Sequence, residues 1–388
     1  MRVAVITRYF PTSHEPWAGH SSYQTLRVLA KHCELKVFYP ESEYPPMLTP
    51  RSRAGRRIDF QHQVADVDVE YISYPALPAI SRPFNGWSAA RSILSKVRAY
   101  RPDIILNYIV YPDGDAALRV ARALKVPFVV TAIGSDLNLI APFCEGLTRR
   151  VLREADCTVT VSGDLLRTAR GLGAPIDRSR AVLNGCDTTI FHPGDRQQAR
   201  AELGIAQDAE AIVYVGRLDM AKGLGELVSA IASLRRPRLK AWIVGDGPAR
   251  QELLQTISAH NVADQVALVP SCGTRQVAGW MAASDLITLP SYREGCPNVV
   301  IEALASGRPV VATDVGGIPE LMDDRSGRLV PARNAEALAK ALEEVLLASW
   351  DAAAISAHHS RSWADVASDM EEILHSVRSG APMQVSSS

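Results

Sequence analysis

Residues 294–310 read Glu294-Gly295-Cys296-Pro297-Asn298-Val299-Val300-Ile301-Glu302-Ala303-Leu304-Ala305-Ser306-Gly307-Arg308-Pro309-Val310. One apolar run ends at Leu289 just before this string, and another begins at Val310. The stretch therefore predicts a strand, a turn, a helix over Asn298–Ser306 stopped by Gly307, and a return to a strand. That is one βαβ step of a parallel sheet. Pro297 suits a helix start, Gly295 lets backbone approach a ligand closely, and the free N–H groups beyond it suit phosphate. Glu294 stands outside the helix and Glu302 two turns inside it. Carboxylates so spaced can hold hydroxyls at two ends of one extended ligand. The plainer alternative is that Glu294 complements the helix dipole and Glu302 is a solvated helical residue.

The same alternation extends in both directions. Val3–Thr7, Leu35–Tyr39, Ile104–Asn107, Phe128–Thr131 and Cys157–Ser162 read as strands of a first array, with a helix over Ser21–His32. After the turn Asn184-Gly185-Cys186-Asp187 a second array begins, with strands at Ala211–Val215, Ala241–Val244, Val266–Val269, Leu286–Leu289 and Val310–Ala312. Two βαβ arrays of similar length, joined near residue 190, predict a double Rossmann-like α/β architecture with a cleft between. The boundaries expected are 1–187 for the first domain, 188–355 for the second, 356–379 for a closing helix and 380–388 for a disordered tail. Such a chain of 388 residues exceeds what one core usually serves.

Ligands of open parallel sheets bind at the carboxyl ends of the strands, so informative residues should follow strands. Tyr214-Val215-Gly216-Arg217-Leu218 leads to Lys222-Gly223 before a helix. Two cations there can neutralise a diphosphate and stabilise it as a leaving group. The alternative for Arg217 is a surface ion pair with Asp219. Trp242-Ile243-Val244-Gly245-Asp246-Gly247-Pro248 is a strand ending in a tight turn, which by itself needs no function. Gly19 follows the first strand without forming a GxGxxG, so no dehydrogenase fingerprint is present there. Ser13, His14 and His20 beside it read as ordinary loop residues.

Composition sets outer bounds. Hydrophobic residues make up 47% and charged residues 22%, as in ordinary globular protein. No apolar run is long enough for a membrane span, and Val3–Ile6 is too short for a signal-peptide core. Cys33, Cys144, Cys157, Cys186, Cys272 and Cys296 show no CxxC spacing, so they predict reduced thiols in a cytoplasmic protein rather than a zinc site. Formal charge is zero overall, yet residues 1–187 hold 24 Lys+Arg against 18 Asp+Glu, and the remainder the reverse. A basic first half, sharpened by Arg51, Arg53, Arg56 and Arg57 in an expected loop, suits peripheral contact with an anionic membrane or an anionic acceptor, unless it is ordinary scatter. No nucleic-acid partner is expected.

Taken together, the strings GR-L…KG, VGDGP, EGCPNVVIEALASGRPVVAT and NGCD…F resemble the retaining GT-B glycosyltransferases of family 4, in particular the teichuronic-acid and exopolysaccharide type. The resemblance spans nearly the whole chain and is tightest from about residue 211 to 330. It implies two Rossmann-like domains facing across a cleft and a final helix crossing back to the first. It also implies a UDP- or GDP-sugar donor as substrate, no separate cofactor and no required metal, and a glycan or lipid-linked acceptor. By position, Arg217 and Lys222 would hold the diphosphate, Glu302 the ribose, and Glu294 the donor sugar. Backbone around Gly295, Cys296, Pro297, Asn298 and Val299 would cradle phosphate or sugar hydroxyls, and Gly19 would let a first-domain loop close on the diphosphate. A thiol at this helix N-terminus, Cys296, should favour thiolate.

One position departs from the family. Where a His or Arg, then Gly-x-Asp, commonly follows the strand ending near Thr131, this chain has Ile133-Gly134-Ser135-Asp136. Either the side chain is dispensable, because the leaving phosphate takes the acceptor proton, or a neighbour among Asn107, Tyr108, Asp113 and Asp136 compensates, or catalysis is lost. The alternatives on such a scaffold are a nucleotide-sugar epimerase or hydrolase, and a non-catalytic nucleotide-sugar-binding partner.

Overall fold

A computed structural model describes residues 1–49, 58–78 and 80–381. The arginines at 51, 53, 56 and 57 and most of the expected tail lie outside the described residues. Contacts divide the chain into two units, one made of Met1–Leu183 together with the chain from Trp363 onward, the other of Asn184–Ser362.

The first unit carries seven strands: β1 (Arg2–Ile6), β2 (Glu34–Glu43), β3 (Asp68–Pro75), β4 (Ile104–Tyr108), β5 (Phe128–Ala132), β6 (Cys157–Thr160) and β7 (Ser179–Ala181). All pair in parallel, in the order β3-β2-β1-β4-β5-β6-β7. β4 (IILNY) and β5 (FVVTA) are buried at every residue, the mark of strands covered on both faces. At the edge, β3 (DVEYISYP) reads as less apolar, because Asp68 and Glu70 face Lys36 at 3.4 and 3.3 Å and Lys96 reaches Glu70 at 3.0 Å. That polar edge is why the apolar-run criterion passes over β3.

The helix Trp363–Ser379 belongs to this unit and packs on the helix His20–Leu29. Trp363, Val366, Ala367, Met370, Ile373 and Leu374 recur at helical spacing and enter the same core as Val3, Val5 and Leu26.

The second unit has six parallel strands: β8 (Glu210–Val215), β9 (Leu239–Val244), β10 (Val266–Val269), β11 (Leu286–Leu289), β12 (Val310–Thr313) and β13 (Gly327–Val330). Their order is β10-β9-β8-β11-β12-β13. The quoted string forms the helix Asn298–Ala305 between β11 and β12, and Gly307 follows it at φ +69°. Among the described residues, no helix is long and apolar enough to cross a membrane.

Both sheets reverse their winding once, between β1 and β4 in the first and between β8 and β11 in the second. Loops leaving neighbouring strands at such a switch point diverge to opposite faces and leave a crevice. Arg8, Asp113, Arg217, Lys222 and Glu294 sit in these four loops or at the start of the helix that follows.

Candidate functional site

In the second unit the loop after β8 supplies Arg217 and Lys222, and the loop after β11 supplies Glu294 through Pro297. The two strands are direct neighbours, with Leu286 opposite Ile212. Backbone bonds stitch the loops together: Tyr292 N–H donates to Ala221 O at 2.9 Å. The GDGP turn after β9 supports the first loop, since Leu218 N–H donates to Asp246 O and Ala249 N–H to Leu218 O, each at 3.0 Å. The turn is thus a brace for the Arg217 loop.

Lys222 Nζ donates to Glu294 Oε1 at 2.6 Å, with Glu294 largely buried. A cation and a carboxylate assigned from sequence to two parts of one ligand therefore touch. Arg217 behaves differently: its guanidinium is 67% exposed and lies 3.9 Å from Asp219. That is the surface pair weighed from the sequence, and at such distance and exposure it contributes little, so the cation remains open to an anion.

The loop carrying Gly295 is pressed against the turn after β12. Gly317 N–H donates to Gly295 O at 3.0 Å. Gly316 sits at φ +56°, and a Cβ there would lie 1.9 Å from Glu294 O. Only glycine fits at Gly316, a residue that sequence reasoning missed. Asn184, noted only as part of a turn, holds the other side. Its Nδ2 donates to Cys296 O at 3.2 Å and to Asn298 Oδ1 at 2.9 Å. Pro297 caps the helix, whose first turn (Asn298, Val299) is half-buried with N–H groups facing out of the helix.

Glu302, one of the two carboxylates in the string, is not a solvated helical residue. It is half-buried, and burial pushes its carboxyl up to about 7. Among the described residues no cation pairs with it. A dehydrated carboxylate without a partner is a functional-site signal with a physical cause. Cys296 corrects another expectation. Burial pushes its thiol up to about 12, overriding the helix N-terminus, so the thiolate is disfavoured.

The first unit's switch point is built differently. Asp113, after β4, is fully buried and accepts from the Arg8 backbone N–H at 2.6 Å and Arg8 Nε at 3.0 Å, across from β1. Asp136 accepts three backbone N–H bonds, from Val110, Ile133 and Gly134, at 3.0, 3.1 and 3.0 Å. Asn107 is buried in β4, its Nδ2 donating to Ile6 O and Tyr108 O. Tyr108 is buried as well. Of the four residues weighed as substitutes for the missing polar group, Asp113 and Asp136 are spent on the fold and Tyr108 is buried, whereas Asn107 keeps its buried Oδ1 without a hydrogen-bond partner. Ile133 is half-buried and packs against the core of this unit.

Gly19 has φ +61°, and a Cβ there would lie 2.2 Å from Tyr9 C. Chain packing thus requires glycine at this position. His20 stacks edge-on to Trp363, and burial lowers its pKa. Elsewhere Asp323, His358 and His359 bring ligand atoms within 4.8 Å of one another, but Arg325 donates to both Asp323 and His358, which makes the group an ion-pair network.

Residues 209–348 match the family model described as Glycosyl transferases group 1, and residues 27–185 match the Glycosyl transferase 4-like domain. Similar sequences include "Putative teichuronic acid biosynthesis glycosyltransferase TuaC" of Bacillus subtilis strain 168, 31% identical over 88% of each chain. Another is D-inositol 3-phosphate glycosyltransferase of Arthrobacter sp. FB24, 37% identical over 88% of this chain and 86% of that one. Among solved structures, sucrose-phosphate synthase from Thermosynechococcus elongatus aligns at TM-score 0.78 and 19% identity over 98% of this chain and 100% of its own. Anabaena Alr3699/HepE, in complex with UDP, aligns at 0.76 and 18% over 97% and 100%.

Proposed function

Since this chain belongs to the family 4 GT-B glycosyltransferases, we propose that it moves a sugar, with retention of anomeric configuration, from a UDP- or GDP-sugar to a polysaccharide or lipid-linked acceptor. The observation that carries the donor half is the β8–β11 switch point, where Arg217, the Lys222–Glu294 pair and the unpartnered Glu302 share one sheet edge. Solved HepE structures bound to UDP and to UDP-glucose support a nucleotide-sugar donor for this fold. The place of action proposed is the cytoplasm, with peripheral contact at an anionic membrane.

In this reading Lys222 and Arg217 neutralise the diphosphate, and they do most for it as negative charge grows on the departing oxygen. Glu294, held by Lys222, orients sugar hydroxyls and releases part of its hold on the cation as the phosphate charge develops. Glu302 accepts the ribose hydroxyls. Lone carboxylates lose their hydration when buried, and ligand hydroxyls restore those hydrogen bonds. With Asp113 and Asp136 both committed to the fold, the acceptor proton goes to the leaving phosphate oxygen on the same face. No metal ion is required, because the phosphate charge is met by side-chain cations and helix N–H groups. An epimerase or hydrolase would need a free acid or base in the first unit, and those two carboxylates are tied.

The test is turnover. Purified protein is incubated with UDP- and GDP-sugars and a membrane extract as acceptor, and free nucleotide and glycosylated product are followed separately. Product with retained configuration is expected. Tight nucleotide-sugar binding without product from any acceptor would leave a binding partner instead of an enzyme.

A further inference from the structure

The acceptor side can be taken further, on the premise that the chain is a transferase. Most large apolar residues exposed on the first unit gather in one region, although Phe60, ahead of β3, and Ile176, ahead of β7, lie elsewhere. Met47, Ile80, Phe84, Trp87, Leu139 and Phe143 are 97, 76, 64, 49, 65 and 55% exposed. Every one lies in a segment that follows the carboxyl end of β2, β3 or β5, or at the start of the helix Asn85–Tyr100 that β3 feeds. Single exposed apolar groups need no explanation, but a cluster on one sheet edge does.

Within this cluster lie two hollows. A groove of about 580 Å³ is walled by Pro45, Pro46, Pro75, Leu77, Phe84 and Trp87, with Glu43 as its carboxylate. It meets, at Tyr44 and Leu77, a pocket of about 720 Å³ at the β1–β4 switch point. The pocket has cationic walls. Arg8 lines it, with Asp113 taking one face of the guanidinium. Arg82 lines it too and has no carboxylate partner among the described residues. Asp136 is the carboxylate in the lining, and its oxygens are turned onto backbone N–H groups. Ile109, also in the wall, sits at φ +78°, a costly conformation for a β-branched residue and one that clusters at ligand sites. Arg91 lies over the Trp87 ring at 5.1 Å, so the apolar rim is edged with positive charge.

An apolar groove opening into a cationic pocket fits an amphiphile. We infer that this face of the first unit takes a lipid-linked acceptor, with its phosphate head between Arg8 and Arg82 and its hydrocarbon chain along the Leu77–Phe84–Trp87 groove. The exposed apolar rim dips into the leaflet from which that lipid is drawn. Interfacial Trp and Arg are suited to this depth, and an apolar chain adds affinity with every methylene it buries.

Vesicle flotation of the full chain tests the assignment. Three vesicle types are compared: phosphatidylcholine alone, phosphatidylcholine with phosphatidylglycerol, and phosphatidylcholine with decaprenyl monophosphate at matched charge. Binding to the decaprenyl phosphate vesicles is expected to exceed binding to the phosphatidylglycerol vesicles by about tenfold or more, as a specific phosphate pocket requires. Arg82→Glu and the double variant Phe84→Ser/Trp87→Ser should each lower it by about tenfold, and both remove exposed side chains that leave the core intact. Equal binding to both anionic vesicles would overturn the assignment in favour of a charged bilayer surface. So would binding to none of them, or binding that survives the substitutions while circular dichroism shows folded variants. UDP- and GDP-induced thermal shifts, run in parallel, report on the donor site alone. Their absence would strike the transferase reading while the vesicles still judge the lipid one.

Discussion

The two switch points are made from the same βαβ geometry and spend their polar groups in opposite ways. At β1–β4 the carboxylates are consumed: Asp113 by Arg8, Asp136 by three backbone N–H groups. At β8–β11 Lys222 holds Glu294, but Glu302 pairs with no cation among the described residues, and Arg217 stands 67% exposed. Satisfied polar groups make a rigid, chemically quiet wall, whereas unsatisfied ones store an interaction for a ligand to complete. The second edge thus keeps a carboxylate and a cation for a ligand, whereas the first keeps its carboxylates for the fold and leaves Arg82 as its unpaired charge among the described residues.

The sharpest way to break this contrast is to remove the cations of the second edge. Lys222→Ala and Arg217→Ala should each lower turnover by roughly 10²-fold or more, the scale of losing one charge-stabilising donor. Steady-state rates with saturating acceptor check this, and near-normal turnover in both variants removes the leaving-group role. Lys222→Ala should be the worse of the two, since it also leaves largely buried Glu294 without its partner.

Asp136→Asn tests the quiet edge. An amide in place of the carboxylate leaves at least one of three backbone donors poorly met, so unfolding free energy should fall by about 1–3 kcal/mol. Chemical denaturation measures it. A variant as stable as the parent but with slow transfer would return Asp136 to the chemistry and undo the comparison.

Glu302 gives a pH signature. Its folded-state pKa of about 7 is above the ordinary glutamate range, so the apo protein holds this contribution to stability at low pH and loses it as pH rises through about 7. A ligand hydroxyl needs the carboxylate, so nucleotide affinity should rise over the same interval. Titration calorimetry from pH 6 to 8 should show that rise, and Glu302→Gln should abolish it while weakening nucleotide binding by about tenfold. A flat profile in the parent would mean that ribose is held elsewhere.

The smallest expected effect is none. Because the phosphate charge is assigned to side-chain cations, transfer should proceed at an unchanged rate in excess chelator. Loss of activity restored by magnesium or manganese would show that the second edge is short of charge.

Much of this was legible in the residue order. Buried parallel strands are written as short apolar runs, so β4, β5, β11 and β12 could be placed from sequence within a residue or so. β3, β7 and β13, all edge strands, escaped; at β3 the cause is charge, as Asp68 and Glu70 show through their lysine partners, and β7 is only three residues long. At the donor edge the motif names Arg217, Lys222, Glu294 and Glu302, since a strand followed by Gly and a cation is local. Hidden from the sequence were long-range relations. Asn184 bracing the loop from 112 residues away, Gly316 pressed on Glu294, and Lys222 bonded to Glu294 are contacts that periodicity cannot report. The Cys296 thiol failed for the same reason. Helix position is visible in a sequence, and burial by distant segments such as that of Asn184 is not.

The helix Trp363–Ser379 carries one further consequence, for the order in which the molecule can be made. The strands of the first unit are made before those of the second, yet its core stays open until Trp363, Met370, Ile373 and Leu374 have been synthesised. By then the whole of Asn184–Ser362 has emerged and can close its own sheet. Translation thus runs against the order of the chain, and the unit begun first is finished last. Its apolar face waits uncovered through the synthesis of the other, which makes a nascent chain stalled before Trp363 a natural client for chaperones.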